Sequence, residues 1–62
     1  MDIGKEYYIG DLVWVKGYEG PEKVKVVGKM RERNYFTYEL RNEKLHMWSG
    51  PDFIFNSKEE VK

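Results

Sequence analysis

Short runs of alternating apolar and polar residues fill most of the chain, and clusters of glycine, proline and charged residues separate them. The clearest run is Tyr35 to Leu40, in which Phe36, Tyr38 and Leu40 occupy every second position. This period of two is typical of a strand with one buried face. The pattern predicts five strands, over residues 11–16, 22–30, 35–40, 45–48 and 53–55.

The first predicted strand follows a glycine–aspartate turn and consists largely of β-branched and aromatic residues, which favour strands. Alternation places Val13 and Val15 on its inner face, and it places Leu12 and Trp14 on its outer face. The same argument predicts a further inner set, formed by Val24, Val26, Phe36, Tyr38 and Leu40.

Turn residues predict the connections between the strands. Gly17 to Pro21 contains two glycines and a proline within five residues, which indicates a loop. Gly28 lies inside the second predicted strand, where a glycine often marks a β-bulge or a bend. Ser49 to Asp52 predicts a sharp turn, and the charged tail from Asn56 to Lys62 is predicted to fray or to form one helical turn.

Several segments carry a family resemblance: Gly10–Lys16, Gly20-Pro21, Thr37–Leu40, Trp48 and Pro51–Phe53. In this order they resemble SH3-like small barrels, which include Tudor and PWWP chromatin readers and the C-terminal domains of retroviral and retrotransposon integrases. The resemblance covers about residues 9–55 and implies an all-β, five-stranded, partly open SH3-like barrel. DNA-binding integrase barrels are strongly basic, and PWWP domains have a proline–tryptophan-rich second strand and added helices. This chain shares neither property, so the resemblance extends to the fold alone.

The size of the chain predicts a single domain over residues 1–62, with a core from about 9 to 55, a flexible lead-in at 1–6 and a flexible tail at 57–62. Without cysteine and with one histidine, the chain has no means to form a disulfide or the usual Cys/His zinc site. We therefore expect no metal and no cofactor. The ten aromatic residues exceed what a small barrel can bury, so some are expected on the surface.

Eleven basic residues balance eleven acidic ones. This balance disfavours strong phosphate binding, although it leaves a local basic patch open. No apolar run is long enough for a membrane span, and the first residues lack the pattern of a secretion signal. A cytoplasmic location without membrane association is therefore expected.

Aromatic residues at outward or loop positions form the first candidate site: Trp14, Tyr18, Tyr35 and Trp48. An exposed aromatic surface favours a protein partner. Alternatively, these rings cover the open ends of the barrel. A third reading places Tyr18, Trp48 and Asp52 at one end as a cage for methylated lysine, because aromatic rings attract ammonium groups.

Basic residues in and after the second strand form an alternative site for nucleic acid: Lys23, Lys25, Lys29, Arg31 and Arg33. Their regular spacing predicts one basic strand face, and Tyr35 beside them could stack on a base. The simpler explanation is a solvated face whose lysines protect an edge against aggregation.

Enzymatic chemistry has little support, because nothing in the spacing brings Ser49 or Ser57 to His46, and no phosphate-binding glycine motif occurs. The sequence thus predicts a non-enzymatic binding module whose partner is a protein. Its small size suits an accessory or inhibitory protein of the kind that phages and mobile elements encode. The oligomeric state does not follow from the sequence.

Overall fold

The computed structural model describes residues 6–61, and these residues form an all-β fold without an α-helix. Four strands make one open antiparallel sheet in the order β1-β2-β3-β4. The strands are β1 (Leu12–Gly17), β2 (Gly20–Arg31), β3 (Phe36–Arg41) and β4 (His46–Ser49). Two short 3₁₀ helices follow, at Pro51–Phe53 and Lys58–Glu60. Within the described part of the chain, no helix is long and apolar enough to cross a membrane.

The loop predicted from Gly17 to Pro21 is a tighter turn than expected, because Gly20 and Pro21 already belong to β2. Gly17 pairs with Gly20, so only Tyr18 and Glu19 connect the two strands. Gly20 has a φ of 129°, a conformation that residues with a Cβ rarely adopt. This glycine lets β1 turn directly into β2.

The predicted bulge at Gly28 is confirmed. The pairing of β2 with β3 shifts between Val26 and Gly28, which leaves Val27 as the additional residue. Beyond it, Lys29 pairs with Tyr38. Because directly paired residues share a face, the bulge moves the lysine onto the inner face.

The core lies on the inner face of the sheet, as the alternation predicts. Val13, Val15, Val24, Val26, Tyr38 and Leu40 are buried, and Phe36 packs against them. Leu12 is exposed, in agreement with its predicted outward position. Two further buried residues, Tyr7 and Ile54, lie outside the four strands.

The chain after β4 returns to β1 without forming the predicted fifth strand. Phe53 ends a 3₁₀ helix, and Ile54 inserts into the core. Phe55 then makes a single bridge with Trp14, through hydrogen bonds of 2.8 and 2.9 Å between their backbone groups. Pro51 sets the backbone for a helical turn, which explains why this short apolar segment does not extend as a strand.

Residues 6–11 cross the inner face as a strap, and Tyr7 is its anchor. Its side chain is 5% exposed, and its ring meets that of Tyr38 edge to face, with 5.5 Å between centroids. The Tyr7 backbone N–H donates to the Tyr38 hydroxyl, and the Tyr7 hydroxyl donates to the Ile54 carbonyl. Apart from Glu6, the flexible lead-in predicted at residues 1–6 lies outside the described residues, as does Lys62 of the tail.

Lys29 holds the strap from the sheet side. Its ammonium lies 2.8 Å from a carboxylate oxygen of Glu6, and 4.5 and 4.4 Å from the ring centroids of Tyr8 and Phe36. The aromatic faces and the carboxylate both favour a cation at this position. The lysine therefore acts within the fold, joining the strap to β2 and β3.

Two titratable side chains in this region, those of Tyr7 and Lys29, lead us to expect a loss of stability at alkaline pH. Burial raises the pKa of the Tyr7 hydroxyl above its ordinary value of 10.0, and the hydrogen bond to Glu6 raises the pKa of the Lys29 ammonium above 10.5. The folded chain therefore holds both protons more tightly than the unfolded chain does. Their contribution to the free energy of unfolding is complete below the unfolded pKa values and is lost as pH rises through the higher folded values.

We expect the urea midpoint to fall as pH rises above about 10, measured by circular dichroism. The Tyr7→Phe variant keeps the ring without the ionisable hydroxyl, so its midpoint should fall less over the same range. An identical fall in both proteins would show that the hydroxyl is not held in a buried site.

Candidate binding groove between the edge strands

An apolar groove lies between the two edge strands of the sheet, β1 and β4. We call it the seam groove. It encloses about 660 Å³, a volume within the usual range of ligand pockets. Its lining comes from both edge strands and from the chain that returns to β1: Val15, Lys16, Met47, Trp48, Ser49, Gly50, Phe53 and Phe55.

The seam groove continues toward the β1–β2 turn. A second, shallower depression of about 330 Å³ shares Lys16 and Met47 with it and adds Gly17, Tyr18 and Leu45. Leu45 and Met47 pack against the core from β4 and the turn before it. One apolar surface thus follows the space between the edge strands from the turn to the 3₁₀ helix.

Backbone groups of both edge strands point toward this space. Trp14 directs its N–H and its carbonyl to Phe55, so the groups of Lys16, two residues further along β1, point in the same direction. The Asn42 N–H donates to the Leu45 carbonyl, so the backbone groups of Leu45 point toward β3. Successive residues of a strand point their backbone groups to opposite sides, so those of His46 and Trp48 point away from β3. The groove therefore combines apolar side chains with two sheet edges.

The four aromatic residues predicted as one site lie on different surfaces in the structure. Trp48 lines the seam groove with half of its surface exposed, and the fully exposed Tyr18 lines its extension. Tyr35 lies in the β2–β3 loop, beside Pro51 and Phe53 in a neighbouring depression. Trp14 is half-buried on the outer face and lines none of these grooves.

Phe53, Phe55 and Met47 are groove residues that sequence reasoning missed. The alternation assigned both phenylalanines to a fifth strand, whereas the 3₁₀ turn leaves Phe53 68% exposed at the mouth of the groove. The signal that could have indicated this turn is Pro51, directly after Gly50.

The three residues suggested for a methyl-lysine cage occupy different depressions. Tyr18 lines surfaces whose other members are not aromatic, Trp48 lines the seam groove, and Asp52 lies beside Tyr35. The arrangement offers Tyr18 no second ring against which to hold a cation.

The basic residues predicted to share one strand face lie on different faces, because the bulge at Val27 reverses which face each later residue of β2 occupies. Lys23 and Lys25 are exposed on the outer face, whereas Lys29 is on the inner face beneath the strap. The Arg31 guanidinium lies 5.7 Å from the Phe36 ring centroid, also on the inner face, and Arg33 is exposed in the loop.

His46 and Ser49 have separate partners. The His46 imidazole contacts a carboxylate oxygen of Glu39 at 2.5 Å, and the Ser49 hydroxyl donates to the Gly50 carbonyl at 2.9 Å. Among the described residues, no group of three or more histidine, aspartate or glutamate side chains is placed to hold a metal ion.

Comparison with protein-family models, with curated proteins and with solved structures found no match to this chain. The structure alone therefore describes the class of this protein. It is a small all-β domain with one open antiparallel sheet and an apolar groove between the edge strands.

Proposed function

We propose that this protein is a binding module that takes an extended segment of a partner protein into the seam groove. In this proposal the sheet is an SH3-like barrel that the Trp14–Phe55 bridge closes at one point and the groove leaves open elsewhere. The single observation that carries the proposal is the position of an exposed apolar groove between two sheet edges.

An extended peptide fits both properties of this site. Its backbone can pair with the edge groups of Lys16 on β1, or with those of His46 and Trp48 on β4. Its inward side chains can meet Met47 and Phe53. Such a module acts by covering a partner's surface, which suits an accessory or inhibitory role.

Substitution of the exposed aromatic residues of the groove tests whether the groove binds the partner. Phe53→Ser and Tyr18→Ala are expected to leave the fold intact, because both side chains project into solvent. Each is expected to weaken partner binding by about tenfold or more, as truncation of an aromatic anchor does. The measurement is retention of partner proteins from native lysate, followed by titration of the partner that is recovered.

Ile9→Ser and Tyr8→Ala are the matched controls, because they remove exposed apolar side chains of the strap that do not line the groove. Without the Tyr8 ring, Lys29 keeps its contacts with Glu6 and Phe36. They should retain the partner at parental affinity, and circular dichroism should show all four variants folded. If the controls lose the partner and the groove variants keep it, the binding surface lies on the strap and the proposal is wrong.

A further inference from the structure

Strand pairing assembles a row of basic side chains that is not apparent from the linear sequence. Leu12 pairs with Lys25, Lys25 pairs with Arg41, and Arg41 pairs with His46. Directly paired residues project from the same face, and neighbouring strands lie about 4.8 Å apart. Three neighbouring strands therefore present one basic side chain each, in a line across the outer face.

Further residues extend this row into a cationic surface. Lys23 lies two positions from Lys25 on β2, so it projects from the same face, and it pairs with Trp14. Trp48 lies two positions from His46 on β4. Lys23, Lys25, Arg41 and His46 are all exposed, and a tryptophan lies on each side of the row.

Acidic residues on the same face are few. Glu39 is paired with Trp48 and contacts His46, and Glu32 lies at the far end, where its carboxylate accepts a hydrogen bond from Thr37. Glu22 lies on β2, but it pairs with Val15 and therefore projects from the inner face. Further carboxylates belong to loops and the tail, including Glu19, Glu43 and Glu59. The net charge of zero is a property of the whole chain, whereas the outer face carries more basic than acidic side chains.

We propose that this outer face binds single-stranded nucleic acid. Lys23, Lys25 and Arg41 contact successive phosphates, and the exposed parts of Trp14 and Trp48 stack on bases. Nucleic acid is favoured over an acidic peptide because an aromatic ring lies on each side of the cations. This activity does not depend on peptide binding in the seam groove, although Trp48 belongs to both surfaces.

The test is fluorescence anisotropy of a labelled oligothymidylate at 20 to 200 mM salt. With about three phosphate contacts, the logarithm of the binding constant should fall with the logarithm of salt concentration at a slope of about −2. The double variant Lys25→Glu/Arg41→Glu should bind at least about tenfold more weakly at low salt. Trp48→Leu should bind about fivefold more weakly while the salt slope stays unchanged, because stacking involves no charge.

The matched control is Arg33→Glu/Lys58→Glu, which changes the net charge equally at exposed positions away from the row. It should bind like the parent, and polyglutamate should compete poorly. Equal weakening in both double variants would indicate attraction by net charge alone and would overturn the proposal. Absence of binding at 20 mM salt, or polyglutamate competing as well as unlabelled oligothymidylate, would also overturn it.

Discussion

Replacing Tyr7 by alanine is expected to lower the free energy of unfolding by about 3 to 5 kcal/mol, the usual cost of deleting a buried aromatic side chain. The ring is 5% exposed and lies edge to face against Tyr38 in the core. A domain of this size has only a few kcal/mol of stability. The variant should therefore be largely unfolded at 25 °C, although the residue lies before the first strand.

The size of the effect follows from what the tyrosine joins. Its hydroxyl donates to Ile54 at 3.3 Å, and its backbone N–H donates to Tyr38 at 3.1 Å. Removing the side chain opens a cavity and deletes the hydrogen bond to the Ile54 carbonyl. Tyr7 thus links the strap, β3 and the segment after β4.

The measurement is urea unfolding followed by circular dichroism, with Tyr18→Ala as the control. Tyr18 is the same residue type in a fully exposed position, so its loss should change stability by no more than about 0.5 kcal/mol. Tyr7→Phe should cost only about 1 kcal/mol, because it removes a hydrogen bond and keeps the ring. If Tyr7→Ala unfolds at the same urea concentration as Tyr18→Ala, the strap does not cover the core.

The inner face of the sheet could be predicted from the sequence because its signal is local. Alternation of Val13 with Val15, and of Tyr38 with Leu40, is set by the geometry of a single strand. Gly28 even indicated the bulge. The sequence did not show, however, that the bulge would shift the parity of every residue after Val27, and so the five basic residues were placed on one face.

The remaining features depend on contacts between distant segments. Tyr7 and Tyr8 are adjacent and chemically alike, yet one is core and the other is exposed. That difference arises where the strap meets Ile54, which is distant in sequence. The row of Lys25, Arg41 and His46 likewise requires the register of three strands, which one strand's pattern does not specify.

The aromatic candidates were predicted in part for the same reason. Tyr18 was expected in the first loop, and it lies in the β1–β2 turn. Trp48 lines a groove because the chain after β4 turns at Pro51 and crosses to β1. Strand propensity favoured a regular strand at Phe53, but proline and the tight 3₁₀ turn determined the local structure instead.

Ile54→Ala is expected to lower the free energy of unfolding by about 2 to 5 kcal/mol, because Ile54 is 0% exposed and belongs to the core. The residue lies between a 3₁₀ helix and the single bridge at Phe55, so no extended strand holds it in place. Its side chain instead packs with those of β1, β2 and β3. This packing keeps the returning chain against the sheet and thereby forms one wall of the seam groove.

Ile9→Ala provides a control with the same atoms removed, at a position that is 66% exposed. Its unfolding free energy should remain within about 0.5 kcal/mol of the parent. The Ile54→Ala variant should also lose partner binding at the groove, at temperatures where it is still folded. The reason is that Phe53 and Phe55, which line the groove, flank the substituted residue. Equal stability of the two alanine variants would show that the segment after β4 is not part of the core, and the groove would then lack its wall.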